Sequence, residues 1–258
     1  MERAIVTGSN GQLGRTLQEF VLDGKNVVFD FFDHENLDIT DKQSLDRIFK
    51  ERKYNYCINC AGYTNVEQAE KTPEKAYKVN AEGVKNLAMA CMKHKTILVH
   101  ISTDYVFDGE KKGAYTIHDK TNPINEYGKS KLKGEEHIRA LLPEHYIIRT
   151  SWLYSKKHGH NFCRTILKKA MAGEELRVTD LQIGCPTDTM NLSKFILEGM
   201  VFGKKPFGTY HFCDGEAMSW HGFAKKILRD HGLEETVELI LDRNYRTFAK
   251  RPKNSVLA

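Results

Sequence analysis

Tyr127-Gly128-Lys129-Ser130-Lys131 holds a phenol and an ammonium four residues apart, and these are the side chains of the sequence best suited to move a proton. An i, i+4 pair shares one face of a helix. A phenol with a pKa of about 10 is a poor proton donor or acceptor at neutral pH until a neighbouring cation stabilises its phenolate. Lowering it by ~3 units takes about 4 kcal/mol of differential interaction, and Lys131 is the nearest source. Ser102-Thr103 ends a predicted strand running from Thr96 to Ser102, where ligands of an open parallel sheet bind. A hydroxyl there, that of Thr103, is placed to donate to a substrate oxygen and orient it towards Tyr127.

Gly8-x-x-Gly11-x-x-Gly14 follows the first predicted strand, Arg3 to Thr7, and opens the first predicted helix. Glycine at these positions lets the backbone turn sharply and brings amide N–H groups and the positive helix end against a pyrophosphate. The spacing departs from the commoner G-x-G-x-x-G, but strand, glycine turn and helix occur in the order a dinucleotide site requires. Asp30 is predicted at the end of the second strand, where a carboxylate accepts both hydroxyls of an adenosine ribose and repels a 2′-phosphate. Phe31-Phe32 supply no compensating arginine, although His34 is close by, so NADH is favoured over NADPH.

Elements able to hold these residues recur along the chain. Strands are predicted at Arg3 to Thr7, Asn26 to Phe31, Tyr56 to Cys60, Thr96 to Ser102 and Tyr146 to Thr150. Leu13, Leu17, Phe20 and Val21 make one apolar helix face that Gly24 closes, and Val79, Gly83, Leu87 and Cys91 make another in a long helix that Thr72-Pro73 starts. Strands alternating with helices predict an α/β, Rossmann-type doubly wound parallel sheet over residues 1–151. After Trp152 the regular beat is lost. Helices are expected at Phe162 to Met171, Leu192 to Val201 and, capped by Ser219, on to Asp230, with short strands at Gly208 to Cys213 and Val237 to Leu241. Residues 152–258 therefore read as a smaller C-terminal α/β substrate lobe, with the two parts free to interleave.

At 258 residues and 40% hydrophobic content, the chain can bury one core plus a small lobe. A formal charge of +5 is spread along the sequence, too diffuse for a nucleic-acid partner, though it favours an anionic substrate. No run reaches the ~18 apolar residues of a membrane span, and the first residues enter a strand with no export signal. Cys57-x-x-Cys60 lies in an apolar run with no second Cys or His pair, so it reads as packing and no metal is expected. His158-Gly159-His160 reads as a loop pair facing water. Reduced thiols in a cytoplasm complete the expectation.

Four segments together, Thr7 to Gly14, Asn59-Cys60-Ala61-Gly62-Tyr63-Thr64, Ser102-Thr103-Asp104-Tyr105-Val106-Phe107-Asp108-Gly109 and Tyr127 to Lys131, resemble the extended short-chain dehydrogenases. More narrowly, Arg149-Thr150-Ser151-Trp152-Leu153-Tyr154, Asn161-Phe162, Gln182-x-Gly184-x-Pro186-Thr187 and Arg251-Pro252-x-Asn254-Ser255-x-Leu257 are similar, in order, to the dTDP-4-dehydrorhamnose reductase family. The resemblance spans essentially the whole chain. It implies NAD(P)H-dependent reduction of the C4 ketone of dTDP-4-dehydro-L-rhamnose to dTDP-L-rhamnose, with Tyr127 as proton donor, Thr103 positioning the oxygen and Lys131 on the nicotinamide ribose. It further implies cofactor contacts from Gly8, Asn10, Gly11, Gln12, Leu13, Gly14, Asn59, Ala61 and Tyr63, with Asp38-Ile39 near the adenine. Thr64 to Val66, Asp104 and Trp152 would sit by the sugar, and Asn161 and Arg251 by the thymidine diphosphate. The oligomeric state is left open, a homodimer being one option.

Gly62 stands where relatives more usually carry Ala, and Arg15 where some carry a carboxylate linked to a metal-bridged dimer. The chain stops at Ala258, where relatives continue through a final helix. Sugar-nucleotide 4,6-dehydratases commonly place Glu after Thr-Asp; here that residue is Tyr105, so the base for C5 is missing. Four-epimerases, reductases of another nucleotide-linked 4-ketosugar, and a non-catalytic nucleotide-binding subunit like the regulatory subunit of methionine adenosyltransferase are the remaining alternatives. The intact Tyr127, Lys131 and Thr103 weigh against the last.

Overall fold

A computed structural model of the chain describes residues 1–21 and 27–258. Gly24 and Asn26, expected to close the first helix and open the second strand, lie outside the described residues. Six parallel strands form the main sheet: β1 (Glu2–Thr7), β2 (Val27–Phe32), β3 (Tyr56–Asn59), β4 (Ile97–Thr103), β5 (His145–Thr150) and β6 (Gly208–Phe212), ordered β6-β5-β4-β3-β1-β2. The chain leaves β1 in one direction for β2 and in the other for β3. That reversal opens a crevice beyond the carboxyl ends of β1 and β3, where an open sheet binds ligands.

Alternation along each strand supplies two cores, one per face. Ile5, Cys57, Leu98 and Ile147 face helices α2 (Lys42–Glu51), α5 (Val84–His94) and α6 (Glu126–Leu141) through Leu45, Phe49, Leu87, Cys91 and Ile138. Their neighbours Val6, Ile58, Val99 and Ile148 face α1 (Gln12–Phe20) and α8 (Thr189–Lys194, continuing as a wide turn over Phe195–Phe202), through Leu13, Leu17, Leu192 and Ile196. The Cys57-x-x-Cys60 pair is thereby split. Cys57 is buried in the first core, while Cys60 packs at the edge of the second. The long helix expected from Thr72-Pro73 forms as α4 (Pro73–Tyr77), a wide turn over Lys78–Gly83, and α5; a shorter helix, α3 (Val66–Lys71), precedes it.

Beyond residue 151 the chain divides its work. Helices α7 (Phe162–Met171) and α9 (Trp220–Asp230) close a separate small core of Cys163, Ile166, Phe223, Ile227 and Leu228 beside the parallel pair Leu176–Val178 and Leu239–Leu241. Ser219 caps α9 as expected, accepting from the Gly222 amide at 3.0 Å, a bond of the kind that contributes about 1 kcal/mol. Yet α8 and β6, also beyond residue 151, belong to the main sheet, so the two parts interleave. Among the described residues no helix is long and apolar enough to cross a membrane.

Candidate active site

A cleft of about 490 Å³ opens at the carboxyl ends of the strands, between the sheet and the small lobe. On the sheet side, Gly8 turns at φ +68°, and a Cβ there would stand 2.5 Å from the Ala61 amide nitrogen, so only glycine lets β1 and β3 end this close. Gly11 caps α1 without a side-chain acceptor. The first-turn amides are therefore left for another acceptor, with Asn10, Gly11, Gln12, Leu13 and Ala61 lining the cleft. Gly14 lies behind, close against Ser9.

Asp30 is not at this end of the sheet. Strand β2 continues to Phe32, and mid-strand Asp30 accepts from Arg3 at 3.0 Å, Arg52 at 3.0 Å and the Tyr54 hydroxyl at 3.0 Å. Against the effect of burial, these donors hold its carboxyl below the usual range. The strand-end acid is Asp33, which accepts from Asn10 Nδ2 at 2.8 Å, while the Ser9 amide bonds the Phe32 carbonyl. Counting the strand to Phe32 would have found it. Asn59 is fully buried behind the cleft, accepting from Thr7 Oγ1 at 2.7 Å and the Ala61 amide at 3.1 Å, and paired with His100 at 3.0 Å. Its polar atoms thus tie β1, β3 and β4 together. Asn80 grips the backbone of Tyr63 from both sides. Asp38 bonds its own turn at Thr40, and Ile39 is core, packed on Gly83.

The proton-moving residues do converge. A Cβ on Gly128 would stand 2.1 Å from the Tyr105 carbonyl, so this glycine lets α6 approach the turn that follows β4 and delivers Tyr127 and Lys131 to the cleft. Tyr127 and Thr103 line the cleft together. Burial, reinforced by the nearby Asp104 carboxyl, pushes the phenol above its ordinary value, against the lowering influence of the Thr103 hydroxyl. Lys131 is also buried, which lowers its pKa to about 8, and its ammonium donates to the Ile101 carbonyl at 2.7 Å. The lysine is therefore turned to the backbone here, and the phenol holds its proton firmly, the state an acid needs. Thr103 itself donates to Asp104 Oδ1 at 3.0 Å and accepts from the Tyr105 amide at 3.2 Å. In this structure its proton goes to Asp104. Ser102 donates to buried Glu135, which Arg149 also holds.

Asp104 lies on the seam between the parts. Its carboxylate accepts from Thr103 and from Ser151 Oγ at 2.9 Å, and burial raises its pKa to about 6. Thr64, Val66, Trp152 and Arg251 complete the lining on the lobe side. Trp152 adopts φ +47°, rare for a bulky residue, and its ring stacks on Trp220 with centroids 3.5 Å apart and planes 8° from parallel. Arg251 donates to Glu67 at 2.7 Å and to the Tyr105 hydroxyl at 3.2 Å, leaving its buried Nε unpaired. Asn161 does not line the cleft; it caps α7 and turns its amide to Gln12. Sequence reasoning assigned none of Tyr105, Trp220, Glu67 and His160 to the site. Trp220, one of two tryptophans and directly after a helix cap, was the most findable.

Residues 2–258 match the family model described as RmlD substrate binding domain. The chain belongs to this family. A dTDP-4-dehydrorhamnose reductase of Aggregatibacter actinomycetemcomitans is 38% identical over 267 residues, covering 100% of this chain and 90% of that protein. A solved structure of a dTDP-4-dehydrorhamnose reductase from Clostridium acetobutylicum superposes with a TM-score of 0.92 at 42% identity, over 99% of this chain and 90% of the other. One from Bacillus anthracis, solved in complex with NADP, superposes with a TM-score of 0.94 at 38% identity, over 100% and 90%.

Proposed function

We infer that the chain is an NAD(P)H-dependent oxidoreductase that reduces the C4 ketone of dTDP-4-dehydro-L-rhamnose to dTDP-L-rhamnose. The observation that carries this is the meeting of a buried phenol, Tyr127, with Lys131 and Thr103 in the same cleft onto which the uncapped amides of α1 open. A dinucleotide fits those amides. Gly8 and Gly11 leave the approach free of side chains, and the first-turn N–H groups and helix dipole suit a pyrophosphate. Asn10, Gly11, Gln12, Leu13 and Ala61 would hold it, with Lys131 reaching the ribose beside the nicotinamide. When bound, the cofactor supplies the hydride.

The remaining steps belong to the chain. Tyr127 donates its proton to the substrate's C4 oxygen as negative charge grows there. Thr103, held by Asp104, accepts from or orients the phenol and so fixes where that oxygen must lie. Lys131 keeps positive charge near the phenolate that Tyr127 becomes. Thr64, Val66, Tyr105 and Trp152 wall the sugar, and Arg251 faces the diphosphate. The Asn161 role moves from ligand contact to support of the lobe.

We propose that NADH is preferred because Asp33, not Asp30, presents its carboxylate where the adenosine ribose would lie. Asp33→Ser then raises the NADPH-to-NADH ratio of kcat/KM by at least ~5-fold, about 1 kcal/mol, whereas Asp30→Asn leaves it unchanged. A wild-type preference for NADPH removes this argument. The reaction belongs to the cytoplasm, where the six thiols stay reduced. The deciding experiment is oxidation of NADH and NADPH dependent on dTDP-4-dehydro-L-rhamnose, with other 4-ketohexose nucleotides in parallel. Tyr127→Phe should lower kcat by ~100-fold or more with cofactor affinity kept, as loss of a general acid predicts. Full activity in that variant would mean another group delivers the proton.

A further inference from the structure

Gln12 holds the first position of α1, inside the glycine turn, yet its side chain leaves that turn altogether. Its NH2 donates to the Leu153 carbonyl at 3.0 Å, and its carbonyl oxygen accepts from Asn161 Nδ2 at 3.1 Å. Leu153 and Asn161 are the two ends of a strap that runs from the Trp152 wall to the start of α7. The same Asn161 amide folds the strap on itself through the carbonyls of Ser155 at 2.9 Å and His158 at 3.2 Å, while its Oδ1 caps α7.

The strap's middle rests on α1 as well. His158 Nε2 and Lys157 Nζ reach Glu19 at 2.9 and 3.3 Å, and a Cβ on Gly159 would stand 3.1 Å from Gln12 Cβ. His158-Gly159-His160, read from sequence as a loop facing water, is thus seated on the dinucleotide helix, with Gly159 and His160 lining the cleft. Gln12 has a single sensible orientation. Turned over, its oxygen would meet the Leu153 oxygen and its NH2 the Asn161 NH2, losing both bonds.

We propose that Gln12 is a positioning residue that couples the two ligand sites: occupation of the α1 amides by a dinucleotide fixes the strap, and through it the sugar-nucleotide wall. By linkage the reverse holds to the same degree. The proposal rests on the reductase reading for the identity of the two ligands.

The test is titration of the full chain with NADPH, with and without saturating dTDP. Unsubstituted protein should bind NADPH at least ~5-fold more tightly with dTDP present, the lower end of ordinary coupling. Gln12→Ala should bring that ratio within ~2-fold of one. Asn161→Asp keeps an acceptor for the α7 cap but removes the amide donor, and it should do the same; the double variant should add nothing further. Generalised loosening of the fold weakens binding with and without dTDP together and leaves the ratio alone. A ratio of one in unsubstituted protein, or a ratio that survives both substitutions, overturns the proposal. Failure of unsubstituted protein to bind NADPH or dTDP strikes the reductase reading itself, and this inference falls with it.

Discussion

The two walls of the cleft are made from different materials. On the sheet side the backbone does the work: six parallel strands, a glycine turn and open amides, with both faces of the sheet buried. On the lobe side the regular pairings are short, and the wall stands on side-chain ties between distant segments. Trp152 stacks on Trp220, Trp220 Nε1 donates to Gln182 at 3.0 Å, and Arg251 pairs with Glu67. A backbone-built wall is intolerant of added atoms, while a side-chain-built wall can be adjusted one contact at a time.

Gly8→Val should break the first wall outright. The left-handed backbone costs a β-branched residue about 1–2 kcal/mol or more, and the clash with the Ala61 backbone adds to it, so a total near ~4 kcal/mol is expected. Urea unfolding should show that loss, together with abolished NADPH binding; native stability with native affinity would contradict the account of the turn.

Asp104→Asn probes the seam between the walls. Asp104 keeps its proton to about pH 6 in the folded chain, against 3.8 for the free side chain. Its raised pKa therefore costs nothing below pH ~4, costs more as pH rises to 6, and levels off at about 3 kcal/mol. The amide oxygen that the substitution introduces can still accept from Thr103, so the variant should melt several degrees higher at pH 8 and no higher at pH 4. A gain independent of pH would show that burial of the charge is not its source.

Trp220→Ala loosens the second wall alone. Loss of a stacked aromatic partner, about 1 kcal/mol, should raise KM for the sugar nucleotide ~5- to 10-fold while NADPH affinity stays within ~2-fold. Equal loss of both affinities would mean that the stack supports the whole fold rather than one wall.

The same division explains what could be read from the sequence. Strands β1 and β3 to β5, the glycine turn, Tyr127 and Lys131 were legible because strands buried on both faces read as short continuous apolar runs and backbone geometry demands particular residue types at fixed spacing. Asp30 misled because strand ends are poorly marked: Phe31 and Phe32 extend β2 by two residues and carry the strand-end role on to Asp33. Glu67 with Arg251, and Gln12 with Asn161, are 184 and 149 residues apart, and neither pairing leaves a local pattern. The Thr103–Asp104 bond was hidden for a related reason. The chain places Asp104 next to Thr103, but only the folded backbone decides which neighbour takes the hydroxyl proton.

Because α8 and β6 return to the main sheet, the peptide passes between sheet and lobe three times: after Thr150, before Thr189 and again after Phe212. A body held by one tether can swing; one held by three can only rock. Cutting the polypeptide near residue 151 would therefore not release a free-standing lobe. It would strip the sheet of its sixth strand, and neither fragment would be expected to survive a protease intact.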